Sequence, residues 1–173
     1  MKHLALIGLM GAGKSTVGRA AAARLQRPFV DTDELVEAST GKRVAEIFAE
    51  HGEAKFRELE RVAVADACAS PEPLVIACGG GAAIDADNRN RLRSSACVVW
   101  LRASPDVLAA RLGTGTSDRP LLRSRDPREE LGRLAALRQG AYESTAHATV
   151  DTDGRDIDDV VTDVVEELER CGV

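Results

Sequence analysis

Short apolar runs alternate along this chain with longer segments whose apolar residues recur at helical spacing. The runs are HLALIG at 3–8, PFVDTD at 28–33, PLVIACGGG at 73–81, ACVVWLR at 96–102 and ATVDT at 148–152. KSTVGRAAAARLQ at 14–26 and IFAEHGEAKFRELE at 47–60 read as helices. Alternation of this kind predicts a parallel α/β sheet. LVIAC and CVVWL are apolar at every position rather than at every second one, as strands covered by helices on both faces must be. The pattern therefore predicts an α/β fold of five strands in a doubly wound sheet, with residues 1–173 forming one domain. SPEP at 70–73 is a short connector. GTGTSDRPLLRSRDP at 113–127 is too long and too rich in Gly, Ser and Arg for a simple turn, which predicts a mobile lid at about 113–125.

In an open parallel sheet, ligands bind beyond the carboxyl ends of the strands, so the residues that follow each run carry the functional information. After the first run comes GLMGAGKS at 8–15, a match to G-x-x-x-x-G-K-[ST]. In that loop the glycines let backbone N–H groups curl around phosphate, the lysine addresses its charge and the hydroxyl addresses Mg²⁺. Lys14 is one of only 4 lysines beside 19 arginines. The second run ends in Asp31-Thr32-Asp33, the third in Gly79-Gly80-Gly81 and the fourth in Arg102. A spacing of two puts Asp31 and Asp33 on one face, towards the loop, if the extended conformation continues. A turn or helix N-cap is the alternative for either residue. Arg57 falls on a helix three residues before Glu60, which by itself reads as an exposed ion pair.

Composition narrows the partners. A net charge of −5 leaves no basic footprint for nucleic acid or an anionic membrane surface, so any anionic ligand must be met by a local cluster. No apolar run approaches the ~20 residues of a membrane span, and the N-terminus has no leader-like pattern, which predicts a cytoplasmic enzyme. Cys68, Cys78, Cys97 and Cys171 show no C-x-x-C spacing and are expected to be buried reduced thiols, with Cys78 inert despite its place beside the triple glycine. His3, His51 and His147 are scattered and are assigned no chemistry.

The order of parts, from phosphate loop through D-T-D, F-R-x-x-E, G-G-G and R-P-L-L to a further Arg and Tyr, closely resembles the shikimate kinases. The resemblance covers nearly the whole chain, from GLMGAGKSTVGR through DTDELVEASTGKRVAEIFAEHGEAKFRELE, CGGGA, DRPLL and LRQGAYESTA to VDTDGRD. It implies a P-loop, nucleoside-monophosphate-kinase-like three-layer fold with a five-stranded parallel sheet and a mobile lid. It further implies transfer of the γ-phosphate of ATP to the 3-hydroxyl of shikimate, with Mg²⁺, giving shikimate 3-phosphate and ADP in aromatic amino-acid biosynthesis. The expected partners are these small molecules, with no nucleic acid and no membrane, and the expected state is a monomer.

Carried over position by position, the resemblance has Gly11, Ala12, Gly13, Lys14, Ser15 and Thr16 line the ATP phosphates. Ser15 would ligate Mg²⁺ and Asp31 would hold a metal-bound water. Asp33 contacts the ring hydroxyls, Arg57 and Arg138 hold the carboxylate, and Gly79, Gly80 and Gly81 lie against the substrate with a backbone contact from Gly80. Lys14, Asp33 and Arg119 are the catalytic set, Arg119 arriving with the lid. Arg111 and Arg155 lie near the adenine. A helical segment at about 33–61 forms the substrate side, where Phe48 and Phe56 support the ring or simply fill the core. A carboxylate on a rigid ring suits guanidinium forks, which bind it through two parallel hydrogen bonds.

Where the family carries Pro and a larger apolar residue after Arg138, this chain reads Gln139-Gly140-Ala141, which predicts a looser helix end there. Another small P-loop kinase, such as a gluconate kinase, and a nucleotide sensor without turnover are the rival readings. The acceptor-site set of Asp33, Arg57 and Arg119 disfavours the sensor.

Overall fold

The computed structural model describes residues 2–113 and 126–172. Arg119 and all of the expected lid except Gly113 lie outside the described residues. Five strands, β1 (His3–Ile7), β2 (Phe29–Asp31), β3 (Val75–Ala77), β4 (Ala96–Arg102) and β5 (Ala148–Asp151), form one sheet in the order β2-β3-β1-β4-β5. Every pairing is parallel. β1 and β3 are buried along their whole length, as is β4 up to Arg102. This is what the unbroken apolar runs required. The strands are shorter than their sequence runs where the chain turns early into functional loops, at Asp31 and at Cys78.

The helices among the described residues are α1 (Lys14–Leu25), α2 (Thr32–Thr40), α3 (Val44–Cys68), α4 (Ala86–Ser95), α5 (Pro105–Leu112), α6 (Pro127–Thr145) and α7 (Ile157–Arg170), with a 3₁₀ turn at Ala82–Ile84. α1 packs against α7, and α4 packs against both α3 and α6. α7 buries Val160, Val161, Val164, Val165 and Leu168, a stripe at 3.6-residue spacing that seats it on the core. Ser104 caps α5 ahead of Pro105, and Asp85 caps α4. α3 is bent at Gly52, whose φ of 81° and ψ of 173° break the helix in two.

The main core runs from β1 and β4 to α7. A second, smaller cluster, Val36, Ile47, Phe56 and Ala63, sits apart between α2 and α3. Two expectations are corrected. α6 runs without interruption through Gly140 and Ala141 to Thr145, and Arg138 is buried within it, so the helix end is not loosened. The side chain of Tyr142 anchors that last turn in the core, and Gly140 faces open space where it has nothing to pack. Cys97 and Cys171 are joined by a disulfide that ties the start of β4 to the end of α7 across 74 residues. Only Cys68 and Cys78 are free thiols.

Candidate active site

A cleft of about 820 Å³ opens at the carboxyl ends of the strands. Its floor is the loop between β1 and α1, where Gly11 and Gly13 have φ of 82° and 93°, a region that favours residues without a Cβ. Those turns aim the loop amides and the N-terminus of α1 into the cleft, an arrangement suited to phosphate. Lys14 Nζ donates to the Leu9 carbonyl at 2.9 Å, folding the charge back over the loop. Ser15 Oγ donates to Asp31 Oδ2 at 2.6 Å. A hydroxyl and a carboxylate held together are hard oxygen donors that fit Mg²⁺, which keeps most of its waters. Among the described residues no group of three or more His, Cys, Asp and Glu side chains forms a metal cage.

Asp31 and Asp33 do not both lie on a strand. β2 ends at Asp31, which caps α2 by accepting from the Asp33 N–H at 3.0 Å. The capping reading is therefore the geometry of Asp31, and Asp33 enters the cleft from the first turn of a helix. The side chains still converge. The Gly79 N–H donates to Thr32 Oγ1 at 2.8 Å, which seats the triple-glycine loop on the α2 start.

Charged groups crowd this loop closely enough that two of its positions have no room for a side chain. A Cβ at Gly79 would lie 2.5 Å from Glu60 Oε1 and 2.7 Å from Asp33 Oδ1; one at Gly81 would lie 2.4 Å from the Arg57 guanidinium. At Gly80 the nearest atom would be Arg138 Nη1, at 3.4 Å. Two carboxylates and two guanidinium groups thus meet around one loop. Asp33 Oδ1, Glu60 Oε1 and Arg138 Nη1 are buried without a hydrogen-bond partner among the described residues. Orphaned buried polar atoms of both signs fit a polar ligand that brings donors and acceptors of its own.

Burial, then the charges of Asp31 and Glu60, push the Asp33 carboxyl up to about 6, against a smaller pull from Lys14 and Arg57. Burial also raises Glu60, although Arg57 and Arg138 oppose it. Burial works to lower the pKa of Arg57, but the charge and hydrogen bonds of Glu60 and Glu53 more than offset it. The Arg57–Glu60 pair anticipated as an exposed surface contact is real, at 2.7 Å, but Glu60 is only 1% exposed. Glu60 is thus a site residue the sequence reading missed. Its signal was present in the apolar stripe Phe56, Ala63, Val64 and Ala67, which places position 60 on the buried face of α3.

Phe48 and Phe56 pack ring to ring at 4.9 Å, both line the cleft, and Arg57 lies over the Phe56 ring at 5.2 Å. At the far end of the cleft, Arg111 donates to the Gly11 carbonyl at 3.3 Å and to Thr152 Oγ1 and O at 3.0 and 2.8 Å. Arg155 donates to Asp163 at 2.7 Å. Both arginines line the cleft, together with Ile157 and Val160. Burial raises the Cys78 thiol far out of the reactive range, in keeping with inert packing.

The family profile for shikimate kinase matches residues 10–169. The chain belongs to the shikimate kinase family. It is 48% identical to a shikimate kinase of Symbiobacterium thermophilum over 98% of both chains, and 41% identical to one of Burkholderia pseudomallei over 99% of this chain and 92% of that one. Among solved structures, a shikimate kinase from Acinetobacter baumannii in complex with shikimate superposes with a TM-score of 0.94 at 33% identity, covering 100% of this chain and 96% of that one. A gluconokinase from Sinorhizobium meliloti, at 23% identity and a TM-score of 0.65 over 98% of this chain and 93% of that one, shares the fold. As a member of the family, the chain is an ATP-dependent shikimate kinase, a phosphotransferase with an alcohol group as acceptor.

Proposed function

We propose that phosphoryl transfer is divided among the residues of this cleft as follows. Gly11 to Thr16 cradle the ATP phosphates, with Lys14 following charge onto the transferring group. Ser15, and Asp31 through water, would hold Mg²⁺, which when bound neutralises charge on the phosphate oxygens. Arg57 and Arg138 grip the shikimate carboxylate across the Gly80 peptide, and Asp33 accepts the proton of the 3-hydroxyl. As the new O–P bond forms, the bond from the γ-phosphorus to its bridging oxygen breaks, ADP leaves, and the hydroxyl proton passes to Asp33. A carboxylate poised near 6 is a better base at neutral pH than an ordinary aspartate. Arg119 would meet the phosphoryl group and Arg111 and Arg155 the adenine.

The observation that carries this reading is the meeting of Arg57 and Arg138 with Asp33 around the glycine loop, in the same cleft as Lys14. A coupled assay for ADP release with ATP, Mg²⁺ and shikimate, gluconate or a nucleoside monophosphate tests it. Turnover is expected with shikimate alone and is expected to vanish in Lys14→Ala. Equal turnover with gluconate, or an active Lys14→Ala protein, would refute it.

A further inference from the structure

α6 carries Arg138 and Tyr142 four residues apart, so both side chains leave the same face of the helix. Tyr142 is the only tyrosine in the chain, is 2% exposed, and packs its ring against Trp100 at 5.5 Å between centroids. Packing alone would be satisfied by phenylalanine; a buried hydroxyl must earn its place through hydrogen bonds. The Tyr142 hydroxyl donates to the Gly80 carbonyl at 2.5 Å. That uses its single proton and leaves lone pairs for a donor. The Arg138 guanidinium lies beside that same glycine, its Nη1 3.4 Å from where a Cβ at Gly80 would sit, and its charge works against the upward push of burial on the phenol.

Because the peptide unit is planar and trans, drawing the Gly80 carbonyl towards α6 turns the Gly81 N–H the opposite way. One hydroxyl thus holds the tilt of a glycine-loop peptide that has a guanidinium beside it.

We propose that Tyr142 is a positioning residue for the acceptor: its hydroxyl couples the Gly80 peptide to the Arg138 guanidinium and holds the two at the spacing a substrate carboxylate requires. This rests on the placement of the carboxylate at Arg138 given above. Tyr142→Phe keeps the ring and its contact with Trp100 and removes only the coupling. It should raise the KM for shikimate roughly tenfold, the size expected when one hydrogen bond to a charged group is lost. The KM for ATP should stay within about twofold.

In an Arg138→Ala background the same change should raise the shikimate KM by no more than about threefold, since only the Gly80 peptide remains to be positioned. A KM change of equal size in both backgrounds, or an equal rise for ATP and shikimate, would overturn the proposal and leave Tyr142 a packing residue. Should Tyr142→Phe fail to fold, biosynthetic 3-fluorotyrosine labels this one position. Its ¹⁹F resonance should shift with shikimate in the absence of nucleotide and should not shift in Arg138→Ala, and an unmoved resonance in the wild-type protein would overturn the proposal. Wild-type protein that neither binds nor phosphorylates shikimate would refute the carboxylate placement itself, and the proposal with it. Wild-type activity with an indistinguishable Tyr142→Phe would refute this proposal alone.

Discussion

Asp33→Asn is expected to stabilise the protein while disabling it. Folding moves this carboxyl from 3.8 to about 6. At about 1.4 kcal/mol per pKa unit, the ionised form costs the folded state about 3 kcal/mol. The sign follows from proton counting. Between pH 4 and 6 the folded protein holds a proton at this site that the unfolded chain has released, so stability from this group falls as pH rises. Above 6 the full cost is present, and below 3.8 it is gone. Asparagine is nearly isosteric and carries no charge, so the gain in Asp33→Asn should be of the order of 3 kcal/mol at pH 8 and about half that at pH 5. Urea unfolding of both proteins at pH 5, 6, 7 and 8, followed by circular dichroism without ligands, measures it. In parallel, kcat should fall by a factor of about a hundred or more with the KM for ATP nearly unchanged. A variant less stable than wild type at pH 8, or a gain that does not vary with pH, would refute the electrostatic account of Asp33.

Arg57→Lys should raise the KM for shikimate by more than about tenfold, because the guanidinium both anchors on Glu60 and Glu53 and presents a fork, which an ammonium cannot reproduce; a titration that tolerates lysine would reduce the site to a simple charge. Reducing the Cys97–Cys171 bond frees a loop of 74 residues in the unfolded chain, so dithiothreitol, or Cys171→Ser, should lower stability by roughly 4 kcal/mol in the chain-entropy picture, read from denaturant midpoints with and without reductant. His3 Nδ1 accepts the Leu74 N–H at 3.0 Å, and burial, the largest influence on the imidazole, lowers its pKa against a smaller upward pull from the Cys68 backbone. Its contribution is therefore complete above about 6.5 and lost as pH falls, and His3→Asn, which keeps an acceptor but cannot titrate, should flatten that acid limb in a pH series of melting temperatures.

The phosphate loop was legible because its chemistry demands fixed residue types at fixed spacing, and β1 and β4 because strands covered on both faces leave an unbroken apolar run. Asp33 was legible as a residue and misplaced as geometry. A two-residue spacing suggested a strand, but Asp31 is also a strong N-cap, and capping ended the strand first. Glu60 was hidden because an Arg-x-x-Glu pair looks the same on a solvated helix and on a buried one; only the surrounding packing decides. The Cys97–Cys171 pairing was out of reach for a different reason, since four cysteines permit several connectivities and none is encoded locally. The Gly140-Ala141 departure suggested loosening, but the helix is held by Tyr142 from the core side, a tertiary contact that outweighs local propensity.

The small cluster of Val36, Ile47, Phe56 and Ala63 between α2 and α3 gives the acceptor side of the cleft a foundation separate from the sheet that carries the phosphate loop. Four buried side chains, with Leu35, Val44, Phe48 and Leu59 packed against them, make a small cooperative unit, and the break at Gly52 gives it a seam. Such a unit opens by local unfolding at a free energy below that of the whole molecule. Warming should therefore erode acceptor affinity first, while nucleotide still binds to an intact sheet. A ligand gripped by Arg57 from this unit and by Arg138 from α6 would act as a staple across that seam, so part of its intrinsic affinity is spent on keeping the unit closed.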